Sequence, residues 1–420
     1  MTDTLTPQSE AYDHSARLID LLKNRNFRFL LSGQLIADLG DAMAILAMLL
    51  MVNYFTGSTR ALAGISIAMA LPRLVFGLVS GVYVDRFDRK KIMLTSNLLR
   101  GLIAPLFILA ASPERLWLLY VLAFIQATIG TFFTPARTAL LPGIVPARQL
   151  LSANSFSQTG QTLFMLIGSS AAGVLLSGNR YFWVAFVINA VTFFAAALLL
   201  SKIDIIHQPR QESRLPNLRE IWDNLLAGLK AIFSSRVLSG TITANALTML
   251  GVGAINVLMV PLLVNDLQLP SSWMGAVNLS QTAAMVISGS LIAGLFAHLH
   301  PTRLLTIGLF GFGAFMGLTM FAYNIWAVML VLFLSCLFIP PISSSIQTIQ
   351  QTNVGDALRG RVSASYTALV TTANLLSMAY AGLLADSIGT RSVFLISGLL
   401  VMVAGAAAFM MFKGLGKVTA

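Results

Sequence analysis

Long runs of apolar residues separated by short polar segments are the dominant pattern of this chain. A helix rises 1.5 Å per residue, so about 20 apolar residues are needed to cross a hydrocarbon core of roughly 30 Å. Twelve runs meet this requirement, at residues 27–52, 61–84, 92–112, 116–140, 154–177, 181–201, 238–264, 272–297, 303–323, 325–348, 362–385 and 391–412. The pattern therefore predicts an all-α polytopic membrane protein with twelve transmembrane helices.

The composition supports a membrane environment. Of the 420 residues, 56% are hydrophobic and only 10% are charged, whereas soluble domains have about 25% charged residues. This excludes a cytosolic enzyme, a secreted disulfide scaffold and a disordered hub. The net charge of +11 does not indicate a nucleic-acid partner, because the basic residues punctuate apolar runs instead of covering one solvated face. The predicted partner is the lipid bilayer.

The basic residues also predict an orientation, because short loops rich in lysine and arginine stay in the cytoplasm. If the N-terminus is inside, 21 of the 27 basic residues fall in cytoplasmic segments or at the cytoplasmic ends of spans, among them Arg137 at the end of the fourth span. Four fall outside, and Arg73 and Arg100 fall within spans. Both termini are therefore predicted to be cytoplasmic.

A long polar connection divides the spans into two groups of six. The predicted organisation is a cytoplasmic N-terminal segment (1–26), a six-helix bundle (27–201), a cytoplasmic linker (202–236), a second six-helix bundle (237–412) and a cytoplasmic tail (413–420). Within the linker, residues 218–233 are expected to form a helix on the membrane surface, with Trp222, Leu225, Leu226 and Leu229 on one side.

The two groups resemble each other weakly when the second is aligned on the first. Three segments of the first group match segments of the second in the same chain order and at nearly the same distance along the chain. This favours a duplication, which implies two pseudo-symmetric halves with a substrate site between them. The alternative is that apolar segments share low complexity. The matches are Gly81 and Asp85 with Gly294 and His298, 152–154 with 363–365, and 173–176 with 382–385.

The densest motif lies between the second and third spans, where Gly77 to Lys91 reads GLVSGVYVDRFDRKK. Glycines four apart favour close helix approach. The segment resembles the GxxxDRxGRK(R/K) loop motif of the major facilitator superfamily, except that Asp88 replaces the second glycine. The resemblance extends over the whole chain, through the twelve spans and the six-plus-six division, and it implies a transporter.

Two further segments narrow the resemblance. They are Arg25 to Arg28 (RNFR) and Phe133 to Pro142 (FTPARTALLP), the latter followed by Asn154. Together they are similar to the drug/proton antiporter branch that includes macrolide efflux proteins and the enterobactin exporter. This implies export of drug-like or siderophore-like small molecules by proton antiport and alternating access, by a monomer in the bacterial inner membrane. The fifth-span GPxxGG element is incomplete, because Gly168 to Gly173 reads GSSAAG.

The resemblance also implies a gate. In this family the loop acid engages the other half on the cytoplasmic side, so Asp85 is expected near the start of the eleventh span, between Arg361 and Ser365, where the helix N-terminus favours an anion. The alternative is that these residues only anchor the loop inside the cell. The predicted gating residues are Gly81, Asp85, Arg86, Arg89, Lys90 and Arg361.

Four charged residues lie within spans, where charge is costly and therefore a candidate for function. They are Asp38, Asp41, Arg73 and Arg100. The two acids are three residues apart on one helix face, about 16 and 21 Å along the first span. Our hypothesis is that Asp41 carries the coupling proton and that Asp38 assists it or contacts a cationic substrate. The alternative is that either acid pairs with Arg73 or Arg100 and stabilises the first bundle.

Uncharged residues within the spans are candidates for the substrate cavity, although many such residues only bridge helices. The candidates are Gln34, Gln126, Phe132, Asn245, Asn256, Gln281 and Asn374. No phosphate-binding loop, catalytic motif or metal-ligand spacing is found, so we expect neither an enzyme, nor a cofactor, nor a metal. The alternatives to an exporter are a proton-coupled uptake symporter, a passive facilitator and a lipid-moving membrane protein.

Overall fold

A computed structural model describes residues 18–146, 149–176, 181–204, 218–291, 299–354 and 356–413. These residues are almost entirely helical. The helices are α1 (Leu18–Lys23), α2 (Arg25–Thr56), α3 (Thr59–Arg86), α4 (Arg89–Ile103), α5 (Leu116–Leu140), α6 (Leu150–Leu175), α7 (Phe182–Ser201), α8 (Leu218–Ser234), α9 (Arg236–Val260), α10 (Trp273–Leu291), α11 (Pro301–Leu318), α12 (Ile325–Cys336), α13 (Ile339–Asn353), α14 (Asp356–Ile388) and α15 (Thr390–Phe412).

The all-α membrane fold predicted from the sequence is confirmed. Within the described ranges, ten helices or continuous helix pairs are long and apolar enough to cross a membrane. The other two predicted spans, 154–177 and 272–297, correspond to α6 and α10. Polar side chains such as Gln158, Gln161 and Thr162 reduce the hydropathy of α6, and residues 177 and 292–297 lie outside the described part. The full count of twelve therefore stays a prediction.

Side-chain caps fix where two of the helices begin. The Asn24 side chain accepts a hydrogen bond from the Phe27 amide at the start of α2 (3.1 Å). Asp88 accepts one from the Lys91 amide at the start of α4 (3.1 Å). An aspartate at this position satisfies a free N–H group of the first helical turn, which explains why Asp88 stands where the resembled motif has glycine.

The helices form two sets. Helices α2–α7, the N-terminal set, pack most extensively on one another, and so do α9–α15, the C-terminal set. The two sets meet mainly where α3 packs on α14 and where α6 packs on α10. We call the end of the molecule at which α2 begins and α15 ends the terminal end, and the opposite end the distal end.

The two sets are hydrogen-bonded to each other at the distal end. The side-chain amides of Asn53 and Asn265 exchange two hydrogen bonds, of 2.9 and 3.0 Å. Asp386 of α14 caps the first turn of α3, accepting from the Thr59 amide (2.9 Å) and the Ser58 hydroxyl (3.0 Å). Arg60 lies 3.3 Å from the same carboxylate. These contacts close the distal end.

At the terminal end the same interface is open. Near the distal end, a Cβ added at Gly382 of α14 would overlap the Cβ of Ala63 of α3. Gly77 and Gly81 lie about four and five helical turns after Ala63 on that face of α3, yet a Cβ at either would have no atom of the described residues within 4 Å. The expected close approach at these glycines is therefore absent in this conformation. From this divergence of α3 and α14 we infer a cleft between the two sets at the terminal end.

The linker helix α8 packs against α14 and α9. The Ser365 hydroxyl of α14 donates a hydrogen bond to the Leu225 carbonyl (2.9 Å), and a Cβ at Gly228 would overlap the Arg361 carbonyl oxygen. The helix occupies the predicted stretch 218–233 and ends one residue later. Residues 205–217 of the linker lie outside the described part.

Candidate functional site

Asp41 and Arg100 form an ion pair inside the N-terminal set. The Arg100 guanidinium donates a hydrogen bond to the Asp41 carboxylate, which joins α2 to α4. The guanidinium carbon also lies 4.1 Å from the ring centroid of Phe193 on α7. The Asp41 and Arg100 side chains are only 25% and 12% exposed. Because all of these partners belong to one set, the pair stabilises that set as a unit.

Asp38 lies one turn before Asp41 and has different surroundings. Its side chain is half-buried, and its Oδ2 atom is buried without a hydrogen-bond partner among the residues that the structure describes. Among the described residues, no ion pair within 4.0 Å includes Asp38. On the preceding turn, Gln34 accepts a hydrogen bond from Arg137 of α5 (2.7 Å), and Arg137 interacts electrostatically with Asp38. Asp38 therefore lies near the Arg137 guanidinium, which already donates a hydrogen bond to the Gln34 side chain.

Arg73 is not brought to either acid. In the described part of the chain no ion pair includes it, and its side chain is exposed although it lies in the middle of α3. Ser66 and Ser80, two helical turns before and after it, are buried. Among the described residues, Arg73 therefore takes no part in the ion pairing considered as the alternative role of the two acids, and Arg100 alone pairs with Asp41.

An apolar position on α2 is also exposed. Ile45 is 37% exposed within an otherwise buried part of α2. It lies two turns after Asp38 and one turn after Asp41, so the three side chains form one stripe. On α6, Gln158 and Met165 are likewise exposed and two turns apart. The N-terminal set therefore carries accessible apolar and polar groups on α2 and α6.

The predicted cavity candidates divide into buried and accessible residues. Three are buried: Gln34 bonds Arg137, Gln126 has an Oε1 atom without a hydrogen-bond partner, and Asn245 donates to the Tyr366 hydroxyl (2.8 Å). Asn256 is exposed, and Phe132, Gln281 and Asn374 are half-buried. The Phe132 ring contacts Tyr83 edge-on, with centroids 5.5 Å apart. The accessible four are the better candidates for ligand contact.

The gating motif is anchored within the N-terminal set. Arg89 donates a hydrogen bond to the Ala139 carbonyl at the end of α5 (2.8 Å). Lys90 donates to the carbonyls of Ser201 and Ile203 after α7 (2.8 and 2.7 Å). Both residues fix the start of α4 to the ends of its neighbours.

The expected contact across the gate stays a prediction. The side chain of Asp85 lies outside the described part, and Arg86 and Arg361 are exposed. The segment from Arg361 to Ser365, where Asp85 is expected, is covered by α8 in this conformation.

The incomplete fifth-span motif still contains close-approach glycines. A Cβ at Gly168 would overlap the Leu39 carbonyl oxygen of α2. A Cβ at Gly173 would lie 2.7 Å from the Ser271 carbonyl oxygen, and the Ser271 hydroxyl donates to the Gly173 carbonyl (3.0 Å). The packing role of the glycines is therefore kept although the proline is missing.

Two site residues are not predicted by the sequence pattern. The distribution of basic residues counts Arg137 among the cytoplasmic basic residues, but it lies within α5 and contacts α2. It follows the buried Gln126 by about three helical turns, so the periodicity could have placed it on the inner face. Tyr366, which receives the Asn245 hydrogen bond, has no comparable feature in the sequence.

Comparison with known proteins gives consistent matches. The family model of the Major Facilitator Superfamily matches residues 30–289 and 241–417. The chain is 26% identical to macrolide efflux protein A of Streptococcus pyogenes over 383 residues, covering 88% of this chain and 92% of that protein. It is 31% identical to the putative bacilysin exporter BacE of Bacillus subtilis over 208 residues, about half of each chain.

The fold also matches a solved structure. The crystal structure of a bacterial homologue of the iron transporter ferroportin, in an inward-facing state, superposes with a TM-score of 0.72. The match covers 94% of this chain and 99% of that one, at 17% sequence identity.

Proposed function

Because this chain belongs to the major facilitator superfamily, and is therefore a multi-pass membrane transport protein and not an enzyme, we propose that it exports drug-like small molecules by proton antiport. Alternating access through the cleft between the two helix sets is the proposed mechanism. The efflux proteins among its relatives support an export direction. A siderophore-like substrate is the second chemical class that the resemblance suggests.

The observation that carries the proposal is the contrast between Asp38 and Asp41. Asp41 is held by Arg100, whereas Asp38 has a buried oxygen without a hydrogen-bond partner. A carboxylate oxygen that is buried without a hydrogen-bond partner is costly while the group is charged, and binding a proton removes this cost. We therefore assign the coupling proton to Asp38 and a structural role to Asp41, which exchanges the roles suggested by the sequence.

The proposed cycle uses the asymmetry of the two ends. Both termini are placed in the cytoplasm on the basis of the lysine and arginine distribution, so the cleft of this conformation opens to the cytoplasm. There Asp38 releases its proton and the substrate enters. Closure of the terminal end and opening of the distal end then expose the site to the outside, where the substrate leaves and a proton binds.

The energy of proton entry is sufficient for this work. Each pH unit supplies about 1.4 kcal/mol per proton, and a charge crossing 100 mV of membrane potential supplies about 2.3 kcal/mol. The accessible cleft residues Ile45, Met165 and Phe132 suit an apolar substrate surface, and Asn256 and Asn374 of the C-terminal set suit its polar groups. A monomer in the bacterial inner membrane is the proposed working form.

The test is transport by proteoliposomes that contain the purified chain, with a panel of dyes, macrolides and siderophores and an imposed pH gradient. We expect Asp38→Asn to abolish gradient-driven transport but to keep exchange of labelled for unlabelled substrate, which needs no net proton movement. Asp266→Asn is the matched control, because Asp266 pairs with Arg391 within the C-terminal set (3.9 Å).

Two kinds of outcome would contradict the proposal. Unchanged proton coupling in Asp38→Asn would remove the proton site from this residue. Accumulation of substrate along with protons would identify an uptake symporter, and equilibration without any effect of the pH gradient would identify a passive facilitator.

A further inference from the structure

An apolar groove of about 440 Å³ lies between the linker helix and the C-terminal set. It is bounded by Leu226 and Phe233 of α8, Ala246 and Leu250 of α9, and Leu369 and Leu376 of α14. We call it the α8 groove. None of the described residues that line it is charged, while Trp222, Phe233 and Leu376 at its edges are about 60% exposed. Such a surface is stable only if an apolar group covers it.

The groove is on the outer side of the helices, away from the cleft. With 3.6 residues per turn, Leu250 lies about 140° around α9 from Asn245, which bonds Tyr366 of α14. Asn256 shares the face of Asn245, because it lies about three turns further along the helix. The groove and the polar face of α9 therefore point in different directions, and the groove faces the surrounding bilayer.

The depth of the groove matches one leaflet. Its α9 wall runs from Ile242 to Leu250, a rise of about 12 Å, and the hydrocarbon of one leaflet is about 15 Å deep. Helix α9 begins at Arg236, so the wall starts about 9 Å below the terminal end of the helix. An acyl chain that enters from the terminal-side leaflet fits this position.

Basic residues surround the entrance. Arg236 is exposed, and it lies on the same stripe of α9 as Thr243 and Leu250, which follow it at intervals of about two helical turns. On α8, exposed Arg219 and Lys230 lie beside the apolar face, about 60° and 80° around the helix from Trp222.

The acidic residues of α8 lie further from the apolar face than the basic ones. Glu220 and Asp223 are about 160° and 100° around the helix from Trp222. Asp223 is four residues after Arg219 and therefore adjacent to it, whereas Lys230 and Arg236 have no acidic residue within one helical turn. Basic side chains at the edge of an apolar face are typical of helices that bind anionic lipid surfaces. The entrance of the α8 groove therefore favours a negatively charged headgroup.

We propose that the α8 groove binds an anionic phospholipid of the terminal-side leaflet, with one acyl chain in the groove and the phosphate held by Lys230 and Arg236. Arg219, about 16 Å from Lys230 along α8, adds positive charge at the other end of the groove. The lipid joins α8 to α9 and α14, and so fastens the linker to the C-terminal set. Linker residues 205–217 (IIHQPRQESRLPN) are a poorer occupant, because only three of them are large and apolar.

The test uses Trp222 as the reporter, since it borders the groove. The other tryptophans, at positions 117, 183, 273 and 326, are changed to phenylalanine, and the protein is placed in phosphatidylcholine nanodiscs. A small fraction of brominated phosphatidylglycerol or of brominated phosphatidylcholine is then added. We expect the anionic lipid to quench Trp222 at a lower mole fraction, with about a fivefold preference for each basic residue engaged.

Variants separate specific binding from general lipid contact. Lys230→Gln and Arg236→Gln should each reduce the preference for phosphatidylglycerol, and Ala246→Phe should reduce quenching by both lipids because it fills the groove. Arg303→Gln is the matched control, because Arg303 is exposed at the start of α11, which also lies at the terminal end, and it should leave the preference unchanged.

Equal quenching by the two lipids, or a preference that survives both glutamine substitutions, would overturn the proposal. Absence of quenching by either lipid would also overturn it, because it would mean that protein covers the groove.

A second measurement needs no tryptophan substitution. Phosphatidylglycerol should raise the melting temperature of the natural chain in detergent more than phosphatidylcholine does, and the Lys230→Gln, Arg236→Gln double variant should lose this difference.

Discussion

Asp38 and Asp41 show how strongly neighbouring side chains separate two acids on one helix face. They are three residues apart, but α4 supplies Arg100 to Asp41, whereas Arg137, which interacts with Asp38, is shared with Gln34. The Asp41 carboxylate, to which the sequence pattern assigns the coupling proton, is neutralised by its ion pair with Arg100. Asp38 can exchange a proton without breaking such a pair.

We predict that Asp41→Asn destabilises the protein by roughly 3 kcal/mol, because it leaves the largely buried Arg100 guanidinium without its counter-charge. Asp38→Asn should leave the melting temperature unchanged or raise it, because it removes a charge that has no ion pair within the described residues. Thermal unfolding in detergent measures both. A larger loss in Asp38→Asn than in Asp41→Asn would contradict this assignment, and an Asp41→Asn, Arg100→Gln double variant should lose less than the sum of the single variants.

At the scale of elements, α3 and α14 form a hinge-like pair that is tight at one end and separated at the other. The distal contact is polar and specific, because Asp386 caps α3 across the interface between the sets. The terminal half of the same face carries small residues at Gly77 and Gly81. Closing at these glycines requires no removal of bulky side chains, whereas opening the distal end requires the loss of charged hydrogen bonds.

We predict that Asp386→Asn shifts the population towards a distally open state. Loss of one charged hydrogen bond of about 1.5 kcal/mol changes a two-state equilibrium about tenfold. A cysteine at Ile45, in a Cys336→Ser background, should then react faster with an impermeant maleimide added outside intact cells. Asp266→Asn is the control at the same end, since its partner Arg391 lies in the same set. Equal labelling rates in the two variants would refute the gate.

Gly77→Leu tests the opposite end. Within the described part of the chain no atom lies within 4 Å of a Cβ at this position, so the variant should fold with an unchanged melting temperature. It should nevertheless lose most transport activity, because leucine prevents α3 from closing on α14. Normal transport by a correctly folded Gly77→Leu protein would show that this face does not close.

The linker illustrates what a single sequence predicts well and what it does not. Its apolar stripe is enough to predict a helix at 218–233, because amphipathic periodicity is local. The contact of Gly228 with α14 depends on how distant segments pack, and nothing near position 228 indicates it. The position of Arg137 escapes prediction for a related reason, since its charge suggests the cytoplasmic surface while the amide of Gln34 makes its burial in α5 possible.

On the scale of the whole molecule, the apolar runs predict the membrane class because crossing a bilayer requires little more than length and composition. They do not reveal which conformation of the transport cycle the chain adopts, because the same sequence must be compatible with every conformation of that cycle. The gap between α3 and α14 at Gly77 and their contact at Asp386 therefore belong to one state of the cycle. The sequence alone does not reveal that this state is the one adopted.

The orientation of the whole chain can be checked directly. We predict that a fluorescent protein fused after residue 420 is bright and that alkaline phosphatase fused at the same place is inactive, because both termini lie in the cytoplasm. A fusion after Ser112, between the third and fourth spans, should show the reverse pattern. Phosphatase activity at the C-terminus would invert the proposed direction of the cleft and of transport.

The amide pair at the distal end has a further consequence for the origin of the molecule. Asn53 and Asn265 are 212 residues apart, close to the separation of Gly81 from its match Gly294. Under the predicted duplication each is the counterpart of the other, and each donates a hydrogen bond to its counterpart. Two identical subunits meeting across a twofold rotation axis make contacts of this self-complementary kind. A six-helix ancestor with this asparagine would already have had the bond with which to assemble as a homodimer.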